Sequence, residues 1–250
     1  MWPADDETLR GFVARILGWR NAGAIDRALR SIYLATTHQA ALVLRAEGDL
    51  VPIALALHRR AIGGGAPFVV ADPRRGNTPA SVRSPANFDC GLAAFEAARG
   101  GTLCVRTRRL PADFAAVVSA VRDSNSRVQL AVCCPPGDDA DPLLAVPAPL
   151  DVPPLRDRVG DIARIIDEYA QDAIATLGAS EALSSREREW ILEHAATSLD
   201  EIERATLRLT AMRTSPSSSA AAARLGMTLV SLSRWIHRRR HRWPGPDRPG

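Results

Sequence analysis

Lysine is absent from this chain of 250 residues, so all 32 of its basic residues are arginine. The absence excludes the P-loop lysine that contacts the β- and γ-phosphates of a bound nucleoside triphosphate. Aromatic residues are also sparse, at 5%. No uninterrupted apolar run is long enough to span a bilayer. We therefore expect neither a standard P-loop nucleotide site nor a membrane-spanning segment.

The length and overall composition are ordinary for a globular protein. The 250 residues, of which 46% are apolar and 24% charged, suffice for one large or two modest domains with a substantial core. Residues 1–7 are acidic and lack the basic-then-apolar order of a signal peptide. The sequence therefore predicts a cytoplasmic location.

The four cysteines do not have the spacing of a metal or redox site. They form no C-x-x-C pair, and the five histidines are not spaced with them as metal ligands. We predict structural thiols, no metal ion and no other cofactor, with zinc or redox chemistry as the alternative. The cysteines are Cys90, Cys104, Cys133 and Cys134.

The positive charge is concentrated near the C-terminus. From Arg213 onward, eight arginines and one aspartate give a net charge of +7, which leaves −3 for the remainder of a chain whose total is +4. A slightly acidic body with a basic terminal segment predicts an anionic partner for that segment.

Strand-like and helix-like segments alternate up to residue 133. This alternation predicts an α/β fold with a parallel sheet covered by helices on both faces. The strand-like runs lie at 40–44, 67–71, 102–105 and 128–133. The helical patterns lie at 52–60, 92–99 and 112–121, after a helix pair within 5–36.

Beyond the proline-rich breaks at 135–139 and 147–154, the pattern is helical only. Ser184 is a good N-cap for one of the helices. Residues 214–219 are rich in serine and predict a linker, after which a last short helix pair follows. The helices before the linker are predicted at 157–177, 184–197 and 199–212.

Several segments resemble one family in the family's own order. Residues 153–162, PPLRDRVGDI, are similar to the "PPLRxR…DI" signature of the NtrC-like AAA+ domains that activate sigma-54 RNA polymerase. The resemblance extends over residues 25–240 and implies an AAA+-like α/β domain at 1–152 and a helical lid subdomain at 153–213. The other similar segments are ALH at 56–58 with PFV at 67–69, FEAARGGTL at 95–103, and LP at 110–111.

The residues that ATP chemistry requires in that family are missing here. Aligned on the motifs above, the P-loop position is occupied by LRAEGDLV at 44–51, with Leu50 in place of the lysine and Val51 in place of its polar neighbour. Only Gly48 and the N-terminus of the helix that follows it remain of a phosphate-binding loop. Arg106 and Thr107 replace the Walker B acids that would hold magnesium and activate water. We therefore predict a degenerate nucleotide site, no catalytic residues and no ATP hydrolysis.

Residues 217–240, SSSAAAARLGMTLVSLSRWIHRRR, resemble a Fis-type helix-turn-helix. Gly226 supplies the tight turn between two helices, which implies a DNA-binding domain at 214–250. We predict that small and apolar residues of the first helix pack against the second, and that the second buries one apolar stripe. These residues are Ala222, Ala223 and Leu225 on the first helix and Leu229, Leu232, Trp235 and Ile236 on the second.

The second helix of such a motif reads bases in the major groove. Its polar side therefore supplies the predicted DNA contacts, with early residues at base edges and late arginines at phosphates. A basic, solvated terminal helix is the alternative. The predicted base-reading residues are Thr228, Val230, Ser231 and Arg234, and the predicted phosphate contacts are Arg238, Arg239, Arg240 and Arg242.

Two other arginine groups leave alternatives open. Arg106, Arg108 and Arg109 fit either a nucleic-acid patch or the solvated rim of a strand end. Arg156 and Arg158 belong to the family signature, and fit either lid packing with ion pairs or a retained functional role.

Together these features predict a DNA-binding transcriptional regulator on an AAA+-like scaffold that is not an enzyme. Its predicted partners are double-stranded DNA and further copies of itself, at least as a dimer, because one such module reads one half-site. An intact AAA+ relative is a further candidate partner. The alternatives are a residual nucleotide-binding sigma-54 activator and an interaction module that modulates an intact relative.

Overall fold

A computed structural model gives the fold, and it describes residues 6–38, 40–81, 84–123, 125–137, 148–180 and 182–237. The chain divides into two compact units, Met1–Pro153 and Pro154–Gly250. Within the part of the chain that is described, no helix is both long enough and apolar enough to cross a membrane.

The first unit is built on a six-stranded sheet in which every strand pair is parallel. The strand order is β3-β2-β4-β5-β1-β6. The predicted α/β class with a parallel sheet is therefore confirmed. The strands are β1 Leu42–Arg45, β2 Phe68–Ala71, β3 Ala86–Phe88, β4 Thr102–Arg106, β5 Gln129–Cys134 and β6 Leu150–Asp151.

Strands β3 and β6 are absent from the sequence prediction. They are only three and two residues long, and both lie at the edges of the sheet. Neither strand contains an apolar run. An edge strand buries fewer of its residues than the central strands, whose residues are almost all buried. Strand β6 lies within the second proline-rich break, at 147–154, where no strand was predicted.

Five α-helices lie in the described residues of the first unit, and a short 3-10 turn, Thr107–Arg109, follows β4 directly. The predicted break between the first two helices is confirmed. The helices are α1 Asp6–Leu17, α2 Ala22–His38, α3 Val51–Ala61, α4 Gly91–Ala97 and α5 Phe114–Arg122. Buried side chains of α4 and α5, including Phe95 and Val117, pack with Leu103 and Leu130 of the central strands to form one core.

Gly101, immediately before β4, allows two chain segments to approach closely. A Cβ at this position would lie 1.9 Å from the carbonyl oxygen of Pro67. The N–H of Thr102 donates to that same oxygen at 2.8 Å. Only glycine permits the contact, so this glycine sets the spacing between the starts of β2 and β4.

His58 fastens α3 to the start of β4. Its Nε2 lies 3.0 Å from the carbonyl oxygen of Ala66, and its Nδ1 lies 2.8 Å from Oγ1 of Thr102. Because a carbonyl oxygen only accepts, Nε2 carries the proton and donates, and Nδ1 accepts from the threonine hydroxyl. Burial lowers the pKa of His58, so the folded protein holds the neutral ring.

The second unit consists of helices. A 3-10 segment, Leu155–Asp161, leads into α6, which packs along α8. Ser184 caps α7 as predicted: its Oγ accepts from the N–H of Glu187 at 3.3 Å, and the Glu187 carboxylate accepts from the N–H of Ser184 at 2.7 Å. The helices are α6 Ile162–Leu177, α7 Ser185–His194, α8 Leu199–Arg213, α9 Ser218–Arg224 and α10 Leu229–His237.

The predicted linker at 214–219 is instead fixed to the helices around it. The guanidinium of Arg224 donates to the carbonyl oxygen of Thr214 at 3.0 Å, to the Thr214 hydroxyl at 2.8 Å and to the carbonyl oxygen of Leu177. Ser217 caps α9 by accepting from the N–H of Ala220 at 3.1 Å. Serine content therefore marks hydrogen-bonded caps and turns here, and the prediction of a linker was wrong.

The neutral His58 makes the stability of the fold sensitive to pH. The lowered folded pKa means that the unfolded chain, whose histidine titrates near ~6.5, binds more protons in acid. The neutral His58 therefore contributes its full stabilisation of the folded state above about pH 6.5, and this stabilisation is lost as the pH falls below that value. We expect the free energy of unfolding, measured in urea, to fall between pH 7.5 and 5.5. His58→Gln should lower the free energy of unfolding at pH 7.5 by about 1–3 kcal/mol and make it less dependent on pH.

His38→Gln is the matched control, because His38 ends α2 and is exposed. This variant should keep the pH dependence of the native chain. If His58→Gln and His38→Gln give the same curve of stability against pH, His58 is not the titrating group.

Candidate functional site

A cleft of about 380 Å³ lies where β1, β4 and β5 end in the first unit. Ligands of open parallel sheets bind outside these carboxyl ends, so the position is that of a candidate site. The loop at 48–50, four arginines and the end of β5 line the cleft.

Asp49 occupies the N-terminus of α3 with its own carboxylate. Its Oδ1 accepts from the N–H of Val51 at 3.2 Å. The first N–H groups of a helix attract anions and would receive a phosphate in a nucleotide-binding loop. In this chain an internal anion already holds that position.

Arg106, at the end of β4, joins two carboxylates. Its Nη2 donates to Asp49 Oδ1 at 2.9 Å, and its Nη1 donates to Asp72 Oδ2 at 3.1 Å. Asp72, which follows β2, is fully buried and also accepts from Nη1 of Arg109 at 3.1 Å. Burial alone would lower the pKa of Arg106, but the carboxylates of Asp49 and Asp72 outweigh it and hold that pKa above the ordinary value.

The five residues predicted for the degenerate nucleotide site are only partly brought together. Gly48, which has a φ of 87°, lines the cleft with Leu50 and Arg106. Val51 is buried in the first turn of α3, and Thr107 lies in the 3-10 turn after β4. The start of α3 therefore presents neither a lysine nor a hydroxyl side chain to the cleft.

Sequence reasoning missed the partners of Arg106. Neither Asp49 nor Asp72 is among the site residues predicted from the sequence. The available signal was an arginine in place of a Walker B acid, because a cation ending a buried strand needs carboxylates nearby.

Two buried thiols lie side by side on β4 and β5, and the one on β5 also lines the cleft. The Sγ atoms of Cys104 and Cys133 are 3.7 Å apart. The hydrogen bond between the two thiols, together with burial, raises the pKa of Cys133 well above its ordinary value, so this sulfur stays protonated. Among the described residues, no group of three or more histidine, cysteine, aspartate or glutamate side chains is placed to hold a metal ion.

The terminal helix pair of the second unit turns at Gly226, whose φ is 60°. Leu232 and Trp235 are buried as predicted. Leu229, however, is 45% exposed, so the buried stripe begins one turn later than predicted. The stripe is later because Leu229 opens the first turn of α10, where the preceding helix does not cover it.

The first helix of the pair also differs from the prediction in one residue. Ala222 and Leu225 are buried, but Ala223 is exposed and Ala221 is buried in its place. Four consecutive alanines give no periodic pattern, so the sequence did not show that Ala221 rather than Ala223 faces the second helix.

Trp235 anchors α10 to the rest of the second unit. Its ring meets Trp190 of α7 edge to face, with centroids 5.9 Å apart. The guanidinium of Arg208 of α8 lies 5.0 Å from the centre of the Trp235 ring. Aromatic and cation–π contacts of this kind add to area burial, so α10 is held against α7 and α8.

The opposite face of α10 is exposed. Val230 is 59% exposed, and Arg234 lies one turn further along the same side of the helix. Thr228 and Ser231 are exposed too, and Thr228 caps the helix: its Oγ1 accepts from the N–H of Ser231 at 3.2 Å. The predicted phosphate contacts Arg238, Arg239, Arg240 and Arg242 lie outside the described residues.

No protein-family model matches the chain, and no curated protein matches it. Among solved structures, the chain is similar to NtrX from Brucella abortus, with a TM-score of 0.45 and 12% sequence identity over 91% of this chain and 70% of that chain. At this TM-score and identity the likeness carries no argument about function.

The cluster around Arg106 should stabilise the first unit. Arg106→Met leaves the buried Asp72 with Arg109 and the N–H of Arg74 as its described partners, so we expect the free energy of unfolding to fall by an amount at or below the lower end of ~3–5 kcal/mol. The measurement is urea unfolding. Asp72→Asn in the same chain should recover part of the loss, because the uncompensated charge is removed.

Arg99→Met is the matched control, since Arg99 forms an exposed ion pair with Glu96. It should change stability little. Equal stability of Arg106→Met and the native chain would show that the cluster does not hold the sheet edge together.

Proposed function

We propose that the chain is a DNA-binding transcriptional regulator on an AAA+-like scaffold that does not hydrolyse ATP. The observation that carries the proposal is the two-sided α10. One side is anchored through Trp235, and the other side leaves Val230 and Arg234 exposed. A recognition helix needs this combination, because a rigidly held helix presents its outer residues to base edges at fixed positions.

The surrounding sequence supports DNA as the partner. The segment from Arg213 onward carries a net charge of +7. Basic residues close to a recognition helix neutralise phosphates and supply most of the sequence-independent affinity. We assign base reading to Val230 and Arg234 with Thr228 and Ser231. The phosphate contacts are assigned to Arg238, Arg239, Arg240 and Arg242.

The first unit supports an inactive scaffold. A nucleotide-binding loop leaves the helix N-terminus open for phosphate and keeps acids for magnesium. In this chain the Asp49 carboxylate accepts from the first N–H of the helix, and Arg106 pairs with both nearby acids. We assign residues 1–152 to an AAA+-like domain, 153–213 to a helical lid and 214–250 to a helix-turn-helix, assembled at least as a dimer.

DNA binding is tested by selecting duplexes from a random pool and measuring fluorescence anisotropy over a salt series. Arg234→Ala should weaken the selected site by about 1–3 kcal/mol and reduce discrimination against a scrambled duplex. Arg239→Ala and Arg240→Ala should weaken both duplexes equally and lower the salt slope by roughly one unit each.

Arg30→Ala is the control for DNA binding, because it removes one exposed arginine from α2 and should leave binding unchanged. Native binding by the Arg234, Arg239 and Arg240 variants together would sink the helix-turn-helix assignment. An interaction module acting on an AAA+ relative would then be the better hypothesis.

Loss of ATP hydrolysis is tested by phosphate release. The purified protein with magnesium and ATP should release phosphate at the rate of buffer alone, because Leu50, Arg106 and Thr107 stand where lysine and two acids would be needed. A turnover that Arg106→Ala abolishes would contradict the proposal, since a contaminating ATPase would not respond to that substitution.

A further inference from the structure

The exposed side of α10 has an apolar residue at its centre. At about 3.6 residues per turn, Val230 and Arg234 lie on the side of the helix opposite the buried Leu232 and Trp235. Val230 is 59% exposed. A single exposed valine is ordinary on a protein surface. This valine, however, stands beside an exposed arginine on a helix that is anchored at its other side, so its methyl groups are held at a fixed position.

The two hydroxyl groups near the start of α10 give little discrimination between bases. Thr228 Oγ1 donates to Ser231 Oγ at 2.9 Å and accepts from the N–H of Ser231 at 3.2 Å, which commits it to the helix cap. The Ser231 hydroxyl both donates and accepts, and such a group pairs with several base edges. Discrimination therefore falls to Val230 and to Arg234, which forms no hydrogen bond or ion pair with the other residues that the structure describes.

We propose that Val230 contacts the C5-methyl group of a thymine in the major groove and so makes one T·A base pair of the half-site specific; this inference rests on the DNA binding proposed above. The C5-methyl group is the apolar group that base edges present in that groove. Contact removes it and the valine methyl groups from water together. Cytosine presents an N–H donor instead, and a valine against it would leave that donor without an acceptor.

Arg234 sets where this thymine stands in the half-site. Arginine donates two hydrogen bonds to O6 and N7 of a guanine, which is the commonest specific contact in the major groove. Val230 precedes Arg234 by four residues, a rise of about 6 Å along the helix axis. This rise corresponds to about two base-pair steps of the duplex. The half-site should therefore contain the thymine within about two base pairs of the guanine.

The charge of the chain favours DNA over a second copy of the protein as the occupant of this face. The segment from Arg213 onward carries a net charge of +7. A contact between the exposed sides of two α10 helices would bring two such segments together, and like charges repel. A duplex neutralises the same charge with its phosphates. The exposed Val230 therefore fits a base edge better than it fits its own copy.

The test uses the duplex selected from the random pool, with each thymine replaced singly by deoxyuridine, which removes only the C5-methyl group. At one position, uracil should raise the dissociation constant of the full native chain about fourfold, the contribution of one buried methylene-sized group. Val230→Ala should bind the thymine and uracil duplexes alike, and Val230→Thr, which keeps one methyl group, should retain part of the preference. The sensitive thymine should lie within about two base pairs of the guanine that Arg234→Ala no longer distinguishes.

Leu229→Ala is the matched control, because Leu229 is another exposed apolar residue of the first turn but lies about 100° away around the helix. This variant should keep the native preference for thymine. If no duplex is selected, the proposed function fails and this inference fails with it. If a duplex is bound but no uracil weakens it, or if Val230→Ala keeps the preference, only this inference is overturned. Light scattering completes the test: a Val230→Ala variant that changes its oligomeric state and keeps its response to uracil would make Val230 a contact between copies.

Discussion

The carboxyl edge of the sheet depends on one guanidinium group, that of Arg106, held between Asp49 and Asp72. It connects the loop after β1, the turn after β2 and the end of β4. Asp72 is wholly buried, and a buried carboxylate requires a cation close by. Asp49 in turn accepts from the N–H of Val51, the first residue of α3. In a nucleotide site a phosphate and a magnesium ion would meet these needs, whereas here side chains meet them. The edge is thus complete as folded, without a ligand.

The second unit is held together by a similar use of arginine and tryptophan at the points where helices meet. Arg213 donates to Glu187 at 3.1 Å and to the carbonyl oxygen of Ala182, which ties the end of α8 to the start of α7. Arg224 ties α9 to the ends of α6 and α8. Trp235 of α10 then packs against Trp190 of α7. A chain without lysine gains from this, because the guanidinium fork bonds several carbonyl oxygens at once.

Much of the fold followed from the sequence because strong signals agreed. Four buried strands, the helices between them, the Ser184 cap and the turn at Gly226 were each marked by periodicity or by a residue with one conformational role. The edge strands were missed because two or three residues show no period. The ion cluster was missed because Asp49, Asp72 and Arg106 are distant in sequence, and pairing among them depends on strand order. The serine-rich segment 214–219 was wrongly predicted to be a linker, because serine is common both in helix caps and in flexible segments.

If the chain reads DNA as a dimer, as proposed, the fixed segment between α8 and α9 has a geometric consequence. With a flexible linker, the two recognition helices of a dimer could adjust their separation, and DNA sites with several half-site spacings would bind almost equally well. Here Arg224 and Trp235 attach α9 and α10 to the helices before them. The separation of two such helices is then set by how the bodies of the two subunits meet. Inserting or deleting a base pair between the half-sites would rotate one half-site around the duplex, away from its recognition helix. Because that helix is fixed to the helices before it, it could not move to follow the half-site.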